Sequence, residues 1–492
     1  MITQEGFGNQ KIQAGVCLSF FEDFGIRTIP GTVQLQGHDN YRAARLHGQG
    51  KALVVRTDYW KGVGDMKLRW ATKNDVPEMV SVIYDIWAKK EHYSCLEAEI
   101  VSQGFSYYYR NFDAYTDRRI VIAIEDNRII GIAGILPFPM PNMPQVVGAM
   151  LNPVGVIAEY RGKGVGKACI TFLFDALIQA GYHLVTVVGI PGYYPRLGFQ
   201  PVFHKFVATF PVQNALILEG ADEVVTADAD TVWTVVEIFN KTTDKNLFKI
   251  QRDEEWVTRK FLHPEILEAY ESGKRLPLGT LNLHDTYLSR REGMTTGYMV
   301  IGSYETALVI EEILGLDGNA LWSLLRRASR IAQDKGLEKI IVNHAVPDGL
   351  TGTVLTDIGA SITMSTPWHF MLKVLNPTGL LNSMQSIMEE RLTASPYAGS
   401  SFQVNIKLDG IRIGVTANEG KLAFRIMDSS EERGNSRIEL IPRSFAKLIA
   451  GQFSAMELYQ LGYIRLEEAS DIDLLTALFP KHFPYIFETD DN

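Results

Sequence analysis

Cysteine is scarce in this chain of 492 residues, which has only Cys17, Cys95 and Cys169. An odd number of widely separated cysteines argues against a disulfide framework, and none of their spacings is that of a zinc site. The ten histidines and 57 acidic residues also lack a metal-ligand spacing. We therefore expect ordinary buried thiols, no metal ion, and a reducing, cytoplasmic compartment.

Long apolar runs and an excess of positive charge are missing as well. No segment has the roughly 20 apolar residues that cross a bilayer. The apolar patch at residues 14–21 is followed by two acids and lacks the basic start of a secretory signal. The formal net charge of -9 argues against nucleic acid as a partner, because phosphate binding needs a basic face. We expect a protein that binds neither membranes nor nucleic acid.

The chain is too long for a single hydrophobic core, and changes of pattern mark several boundaries. The fold class that we predict is a multidomain combination of α/β and α+β. Residues 1–65 are an extension of unknown role, residues 66–215 and 216–377 are two α/β units, and residues 378–492 are a small α+β domain. Met66, where the regular pattern begins, is also a candidate start for the protein.

The first unit has the clearest local patterns. Residues 120–133 predict a hairpin that turns at Asp126-Asn127, and a strand at 154–157 leads into a glycine-rich loop. A helix that ends at Gly181 and a buried strand, Leu184–Val188, follow the loop. A strand, a glycine loop, a helix and a second strand together indicate an α/β unit.

A weaker copy of this order appears in the second unit, with a strand at 307–314, a helix at 320–335 and a strand at 339–342. Its loop has no arginine, and Asp317 would repel a phosphate. We therefore expect the fold to be repeated without the cofactor chemistry. The rest of the chain has the pattern of a small α+β domain, with strands and helices predicted at 401–408, 411–415, 422–427, 442–450 and 471–479.

The loop Arg161-Gly-Lys-Gly-Val-Gly-Lys167 carries the chemistry of the first unit. Its glycines let the backbone approach a ligand, the helix start offers unpaired N–H groups, and three cations surround them. This combination predicts a diphosphate site. The spacing fits neither the Walker loop nor the dinucleotide fingerprint Gly-x-Gly-x-x-Gly. A plain strand-to-helix turn is the alternative interpretation.

Two motifs in this order resemble the GNAT acetyltransferase superfamily. The first is the loop just described, which resembles the pyrophosphate loop of that superfamily. The second is Tyr194-Pro-Arg-Leu-Gly-Phe199, which matches its Tyr-x-x-x-Gly-Phe run. The resemblance implies acetyl-coenzyme A (acetyl-CoA) as cosubstrate, with Tyr194 near the coenzyme sulfur. A tyrosine can protonate a departing thiolate, so Tyr194 is our candidate general acid, whereas for Tyr193 we favour simple aromatic packing.

The strand before the loop is the expected place for the pantetheine arm. We expect this arm to pair with the backbone of residues 154–156 like an added strand. Asn152-Pro153 is a candidate bulge that would separate the strand from its neighbour and open a slot. A backbone N–H near Val156 is the expected donor to the thioester oxygen. The local sequence does not identify the base that deprotonates the amine.

Two GNAT-like units followed by an α+β domain are similar to the enhanced intracellular survival (Eis) family of acetyltransferases. In that family the third domain resembles sterol carrier proteins, and segments 440–454 and 474–480 carry this likeness. The resemblance implies a homo-oligomer, a hexamer or trimer, and a primary amine substrate such as an aminoglycoside, a polyamine or a lysine-like compound. It also implies coenzyme contacts at Val154, Gly155, Val156, Arg161, Gly162, Lys163, Gly164, Val165, Gly166, Lys167, Gly189 and Ile190.

The resemblance leaves the base open. Members of the family often use the carboxylate at the chain end, which reaches into the first unit and follows a phenylalanine that falls near Phe487 here. Because Glu488-Thr-Asp-Asp-Asn follows it, the carboxylate of Asn492, Asp490 and Asp491 are all candidates. Two other functions stay open, namely a lipid or sterol carrier and a regulator that binds acetyl-CoA without turnover. Turnover on a panel of amines would separate them from an enzyme.

Overall fold

The computed structural model describes residues 33–38, 41–46, 52–55, 66–88, 120–190, 192–243, 246–272, 280–367, 369–408, 410–427, 436–468 and 470–490. Cys17, Cys95, Asp491 and Asn492 therefore lie outside the described residues. In the N-terminal extension three strands pair in sequence order as an antiparallel sheet, namely β1 (Val33–His38), β2 (Tyr41–Leu46) and β3 (Ala52–Val55).

The first unit begins at Met66, which is buried. Its hairpin turns at Asp126 and Asn127 as predicted, and both residues have the positive φ that such a turn needs. In chain order the elements are β4 (Lys67–Trp70), α1 (Val76–Ala88), β5 (Ile120–Glu125), β6 (Arg128–Pro137), β7 (Gly148–Val156), α2 (Val165–Gln179), β8 (Leu184–Val188) and β9 (Gln200–Pro201).

The middle of the chain supplies a second large sheet and the helices that cover it. Its helix and strand near residues 318 and 339 lie within two residues of the predicted bounds. The elements are β10 (Lys205–Pro211), α3 (Val212–Leu216), β11 (Glu223–Thr226), α4 (Thr234–Thr242), α5 (Glu254–Val257), α6 (Pro264–Glu271), β12 (Thr286–Arg291), β13 (Met294–Ser303), β14 (Leu308–Gly315), α7 (Gly318–Asp334), β15 (Lys339–Asn343), α8 (Leu350–Asp357), β16 (Ser361–Ser365) and β17 (Phe370–Val374).

Each large sheet contains one strand from the other segment. The strand orders are β4-β5-β6-β7-β8-β17-β9 in the first sheet and β11-β12-β13-β14-β15-β10-β16 in the second. The exchanged strands are antiparallel to both of their neighbours. The predicted boundary at 215/216 assumed contiguous units, but β10 and β17 cross it in opposite directions. Hydrophobic alternation identifies a strand without identifying its partner, so the sequence could not show this exchange.

The C-terminal segment forms a five-stranded sheet with helices on one face, in the order β20-β19-β18-β21-β22. Its core is continuous with one face of the first sheet, where Leu184, Phe370 and Leu372 pack against it. None of the helices in the described ranges is long and apolar enough to cross a membrane. The elements are α9 (Pro377–Ser383), α10 (Gln385–Thr393), β18 (Phe402–Leu408), β19 (Ile411–Asn418), β20 (Lys421–Ile426), β21 (Ser436–Leu440), α11 (Pro442–Ile449), α12 (Ala455–Gln460), β22 (Ile464–Leu466) and α13 (Asp471–Leu478).

Residues 481–490, here called the terminal segment, leave the C-terminal domain and enter the second unit. The ring centroid of Phe487 is 5.2 Å from that of Phe239 and 4.9 Å from that of His344. Thr489 donates a hydrogen bond to Glu312 on β14 at 2.6 Å. Phe487 therefore lies in the core of the second unit, and not in the first unit as the family resemblance implied for a base at the chain end.

The terminal segment completes a buried cluster of charges. Arg252, which is 1% exposed, pairs with Glu312 at 2.6 Å and with Asp490 at 2.8 Å. Trp256 Nε1 donates a further hydrogen bond to Asp490 at 3.0 Å. Burial would raise the pKa of Glu312, but the Arg252 charge lowers it, while burial raises the pKa of Asp490. Asp490 is thus bound to Arg252 and is removed as a candidate base.

Replacing Arg252 by Met should be strongly destabilising, because it leaves two carboxyl groups buried without their cation. We expect a loss of about 3–5 kcal/mol in the free energy of unfolding, measured by urea titration with tryptophan fluorescence. Lys241→Ala is the control, since it breaks an exposed pair with Glu237 and should cost about 0.5 kcal/mol or less. Equal losses in the free energy of unfolding for the two variants would show that the buried cluster contributes no more to stability than an exposed ion pair.

Candidate active site

Strands β7 and β8 separate in the middle of the first sheet. Their parallel pairing covers only Gly148 to Met150 against Leu184 to Thr186, although β7 continues to Val156 and β8 to Val188. On the other side, the register between β6 and β7 shifts between Ala133 and Ile135, opposite Asn152 and Pro153. A proline cannot donate to the ladder, which suits it to such an irregularity. The predicted bulge and slot are confirmed.

Three glycines shape the loop that follows β7, two through their backbone conformation and one through close packing. Gly162 and Gly164 have φ values of 77° and 85°, the left-handed region in which a side chain is strained. Gly166 lies inside the helix, and a Cβ there would come within 3.0 Å of the Tyr193 hydroxyl and 3.3 Å of Val156 Cγ2. The loop conformation and its close packing therefore both require glycine.

The start of α2 has the features of an anion-binding site. Its N-cap is Gly164, no side chain caps it, and its first turn has no acidic residue. The first N–H groups of a helix have no partner inside the helix and carry the positive end of its dipole. Arg161 donates from Nε to the Val156 carbonyl at 3.1 Å, while Lys163 and Lys167 are exposed beside the helix start.

The equivalent helix of the second unit, α7, already has an anion in place. Asp317 is its N-cap and accepts a hydrogen bond from the Ala320 N–H at 3.0 Å. Arg291 neutralises this carboxylate at 2.9 Å and also pairs with Asp222. The prediction that the second loop does not suit a phosphate is supported, because a carboxylate occupies the helix start.

Tyr194 begins a short 3-10 helix, Tyr194–Leu197, beyond the end of β8. Its ring packs edge-on against Phe199, with 5.6 Å between centroids, and against Tyr193, with 5.1 Å. The side chain is 5% exposed. Burial, with a smaller effect of Tyr193, raises the pKa of Tyr194 well above its ordinary value. The phenol is therefore protonated at neutral pH, which is the state that a proton donor needs.

Gly189 connects Tyr194 to the exchanged strand. A Cβ at Gly189 would overlap the Tyr194 ring, and the Gly189 N–H donates to the His369 carbonyl, just before β17, at 2.9 Å. The next residue, Ile190, is 62% exposed. His369 could not be recognised from the sequence, because it reaches this place only through the strand exchange. Coenzyme contacts at Gly189 and Ile190 stay predictions.

The residues of β7 next to the opening point to alternate faces. A Cβ at Gly155 would meet Ile86 of α1, whereas Val156 points to the face on which α2 begins, near Gly166. Val154 and Val156 both pack partly against the core of the first unit. The side chains thus hold the strand in place, and its backbone edge beyond Met150 is what borders the opening.

Cys169, on α2 near the site, is fully buried, and burial raises the pKa of its thiol to about 12. It is therefore a poor nucleophile at neutral pH, as the expectation of an ordinary buried thiol requires. Within the described part of the chain, no three His, Cys, Asp or Glu side chains are grouped so that they could hold a metal ion.

Comparison with known proteins agrees with this geometry. Residues 83–199 match the model of the acetyltransferase (GNAT) family. This segment is therefore similar to the acetyltransferase (GNAT) family. The matched region includes the loop, the helix start and Tyr194. The uncharacterized N-acetyltransferase YhbS of Escherichia coli (strain K12) is 28% identical over 93 residues, which are 19% of this chain and 54% of YhbS. The chain spans about half the length of this curated relative.

Two solved structures share the fold over most of the chain. A protein of unknown function from Enterococcus faecalis V583, described as a probable N-acyltransferase, has a TM-score of 0.65 at 12% identity and covers 86% of this chain and 99% of its own. Eis1 from Mycobacterium abscessus has a TM-score of 0.57 at 12% identity, with the same coverage. At this identity the likeness shows the fold alone.

A methyl group at Gly189 should displace the Tyr194 ring. We expect Gly189→Ala to lower the free energy of unfolding by about 1–3 kcal/mol, the usual cost of overpacking. Gly318→Ala is the control, because a Cβ there meets only ordinary contacts at 3.6 Å or more from Trp322 and alanine favours a helix. Urea unfolding of both variants is the measurement, and an unchanged Gly189→Ala would contradict the described packing.

Proposed function

We propose that the protein transfers the acetyl group of acetyl-CoA to a primary amine. The observation that carries this proposal is the uncapped, cationic start of α2 directly beside the opening between β7 and β8. An anion site next to an unpaired strand edge suits a ligand with a diphosphate at one end and an extended arm at the other.

Two groups of residues would bind the two parts of such a ligand. The backbone N–H groups from Gly162 to Lys167, with Arg161, Lys163 and Lys167, would hold the diphosphate. The backbone of Val154, Gly155 and Val156 would pair with the pantetheine arm. The loop is open at Gly162, since no atom lies within 4 Å of a Cβ built on this residue.

Bound acetyl-CoA supplies an activated acetyl group, whose carbonyl carbon bonds to the amine nitrogen as the carbon–sulfur bond breaks. A backbone N–H near Val156 would donate to the carbonyl oxygen. Tyr194 would donate its proton toward the sulfur and regain one from solvent. The raised pKa of Tyr194 exceeds the pKa of a thiol, which is roughly 8.5. We therefore expect the proton to be transferred while the carbon–sulfur bond breaks, and not before.

The attacking amine must lose a proton, and the described residues restrict the choice of base. Asp490 is excluded by its pairing with Arg252 and Trp256. Asp491 and the Asn492 carboxylate lie outside the described residues and stay candidates. A water chain to bulk solvent is a further candidate for the proton path, because Ile190, the residue after Gly189, is exposed to solvent.

The wider assignments rest on the Eis-like architecture. The matching strand orders of the two large sheets support a tandem pair of GNAT-like units, the second without a cofactor site. We further propose a sterol-carrier-like C-terminal domain, a homo-oligomer, a cytoplasmic location and an aminoglycoside, polyamine or lysine-like amine as substrate. The net charge of -9 favours a cationic substrate of this kind.

Removing the Tyr194 hydroxyl should slow turnover without weakening the coenzyme complex. We expect Tyr194→Phe to lower kcat about 100-fold or more, within the range of general acid catalysis, in a thiol-release assay with a panel of amines. Calorimetry should give an unchanged Kd for acetyl-CoA. Tyr193→Phe is the matched control and should keep kcat within about threefold. Full activity of Tyr194→Phe would exclude this hydroxyl as the proton donor.

A carboxylate at the start of α2 should weaken coenzyme binding, because it would place a negative charge where Asp317 lies at the start of α7. We compare Gly164→Asp with Gly164→Asn, since both residues meet the same backbone strain and differ in charge. The aspartate variant should bind acetyl-CoA at least about tenfold more weakly than the asparagine variant, the effect of roughly 1.4 kcal/mol of repulsion. Equal Kd values by calorimetry would place the diphosphate elsewhere.

A further inference from the structure

Two chain crossovers run side by side where the large sheets exchange strands. Residues 202–204 carry the chain from β9 to β10, and Thr366 and His369 lie between β16 and β17. His204 Nδ1 and Thr366 Oγ1 share a hydrogen bond of 3.0 Å between them. His204 is 8% exposed and Thr366 is half-buried, so this bond is partly shielded from water. It is a direct polar link between the two crossovers.

The terminal segment lies across the same place. The His204 N–H donates to the Pro484 carbonyl at 2.7 Å. The Phe483 ring packs 6.3 Å from the His204 ring and 5.7 Å from that of Phe206. His204 therefore contacts two other parts of the chain, namely the second crossover through its side chain and the terminal segment through its backbone N–H and its ring.

The second crossover ends beside the catalytic tyrosine. Three residues after Thr366, the His369 carbonyl accepts the Gly189 N–H at 2.9 Å. The missing side chain of Gly189 provides the space for the Tyr194 ring. A shift of the crossover would thus move the surface against which Tyr194 rests.

We propose that His204 is a positioning residue for acetyl transfer, which acts through Thr366 and His369 on Gly189 and so sets the place of Tyr194. This inference rests on the proposed function for its catalytic part. Burial, together with the nearby charges of Lys481 and Lys447, lowers the pKa of His204. The imidazole is therefore neutral at pH 7 and keeps one ring nitrogen as acceptor or donor for Thr366.

The link can be tested without turnover, by hydrogen exchange of the backbone amides. We expect His204→Leu to speed exchange at Gly189 about tenfold in the folded protein, because the hydrogen bond to His369 opens more often. His204→Asn should stay near wild type, since its amide can replace Nδ1. Thr366→Val tests the same bond if the leucine variant does not fold. Unchanged exchange in both the leucine and the valine variants overturns the proposal.

Thr363→Val is the matched control. Like Thr366→Val, it removes a hydrogen bond that a threonine hydroxyl donates, here from Thr363 Oγ1 on β16 to the Val207 carbonyl on β10 at 3.3 Å. This bond does not involve the segment that contacts Gly189. Exchange at Gly189 in Thr363→Val should equal that of wild type. A rise as large as that of Thr366→Val would show general loosening of the sheet and contradict a specific link.

Measurement of turnover is the second test of the proposal. His204→Leu and Thr366→Val should lower kcat about tenfold, as expected for a small misplacement of a catalytic group, while KM for acetyl-CoA changes less than about twofold. A loss confined to KM, or an equal loss in His204→Asn, contradicts positioning. If the wild-type protein releases no thiol with any amine, the proposed function fails, whereas the exchange measurement still decides the role of His204.

Discussion

The exchange of β10 and β17 joins the two large sheets into one structure. Strand β17 lies between β8 and β9, and it contributes Met371 to the core of the first unit and Leu372 to the core shared with the C-terminal domain. Full burial of such side chains stabilises by about 1.5–3 kcal/mol each. Neither large sheet is complete without the other, so the first 200 residues alone lack part of their own site.

The two large sheets share a strand order but differ at the positions that matter for an anion. The first unit leaves the start of α2 open, with glycine at its N-cap, whereas the second closes α7 with Asp317. The second unit also has a strand opening, because β14 and β15 pair only from Leu308 to Ile310. There the terminal segment binds, through Thr489 on Glu312 and Phe487 on His344. One sheet therefore suits an external ligand and the other binds the chain's own end.

Local patterns predicted much of the site, because its parts are local in sequence. The turn at Asp126-Asn127, the glycine loop, the helix start and the Tyr194 motif each occupy fewer than ten consecutive residues. Their chemistry follows from backbone conformation and spacing. The candidate bulge at Asn152-Pro153 was predictable for the same reason, since proline disrupts a strand wherever it occurs.

The features that the sequence did not predict depend on distant partners. Arg252 and Asp490 are 238 residues apart, and no local pattern marks either of them as a member of a buried pair. His369 is an unremarkable residue before a strand until β17 is placed beside β8. The three strands between residues 33 and 55 lack the sustained alternation by which strands are recognised.

The central claim is that the first unit, and not the second, binds acetyl-CoA. Hydrogen exchange of the full chain with and without acetyl-CoA tests it most directly. We expect slower exchange in peptides that cover residues 154–156, 161–167 and 189–194, with no change at residues 311–320. Protection at 311–320 instead, or no protection in the first unit at saturating acetyl-CoA, would show that the first unit is not the binding site.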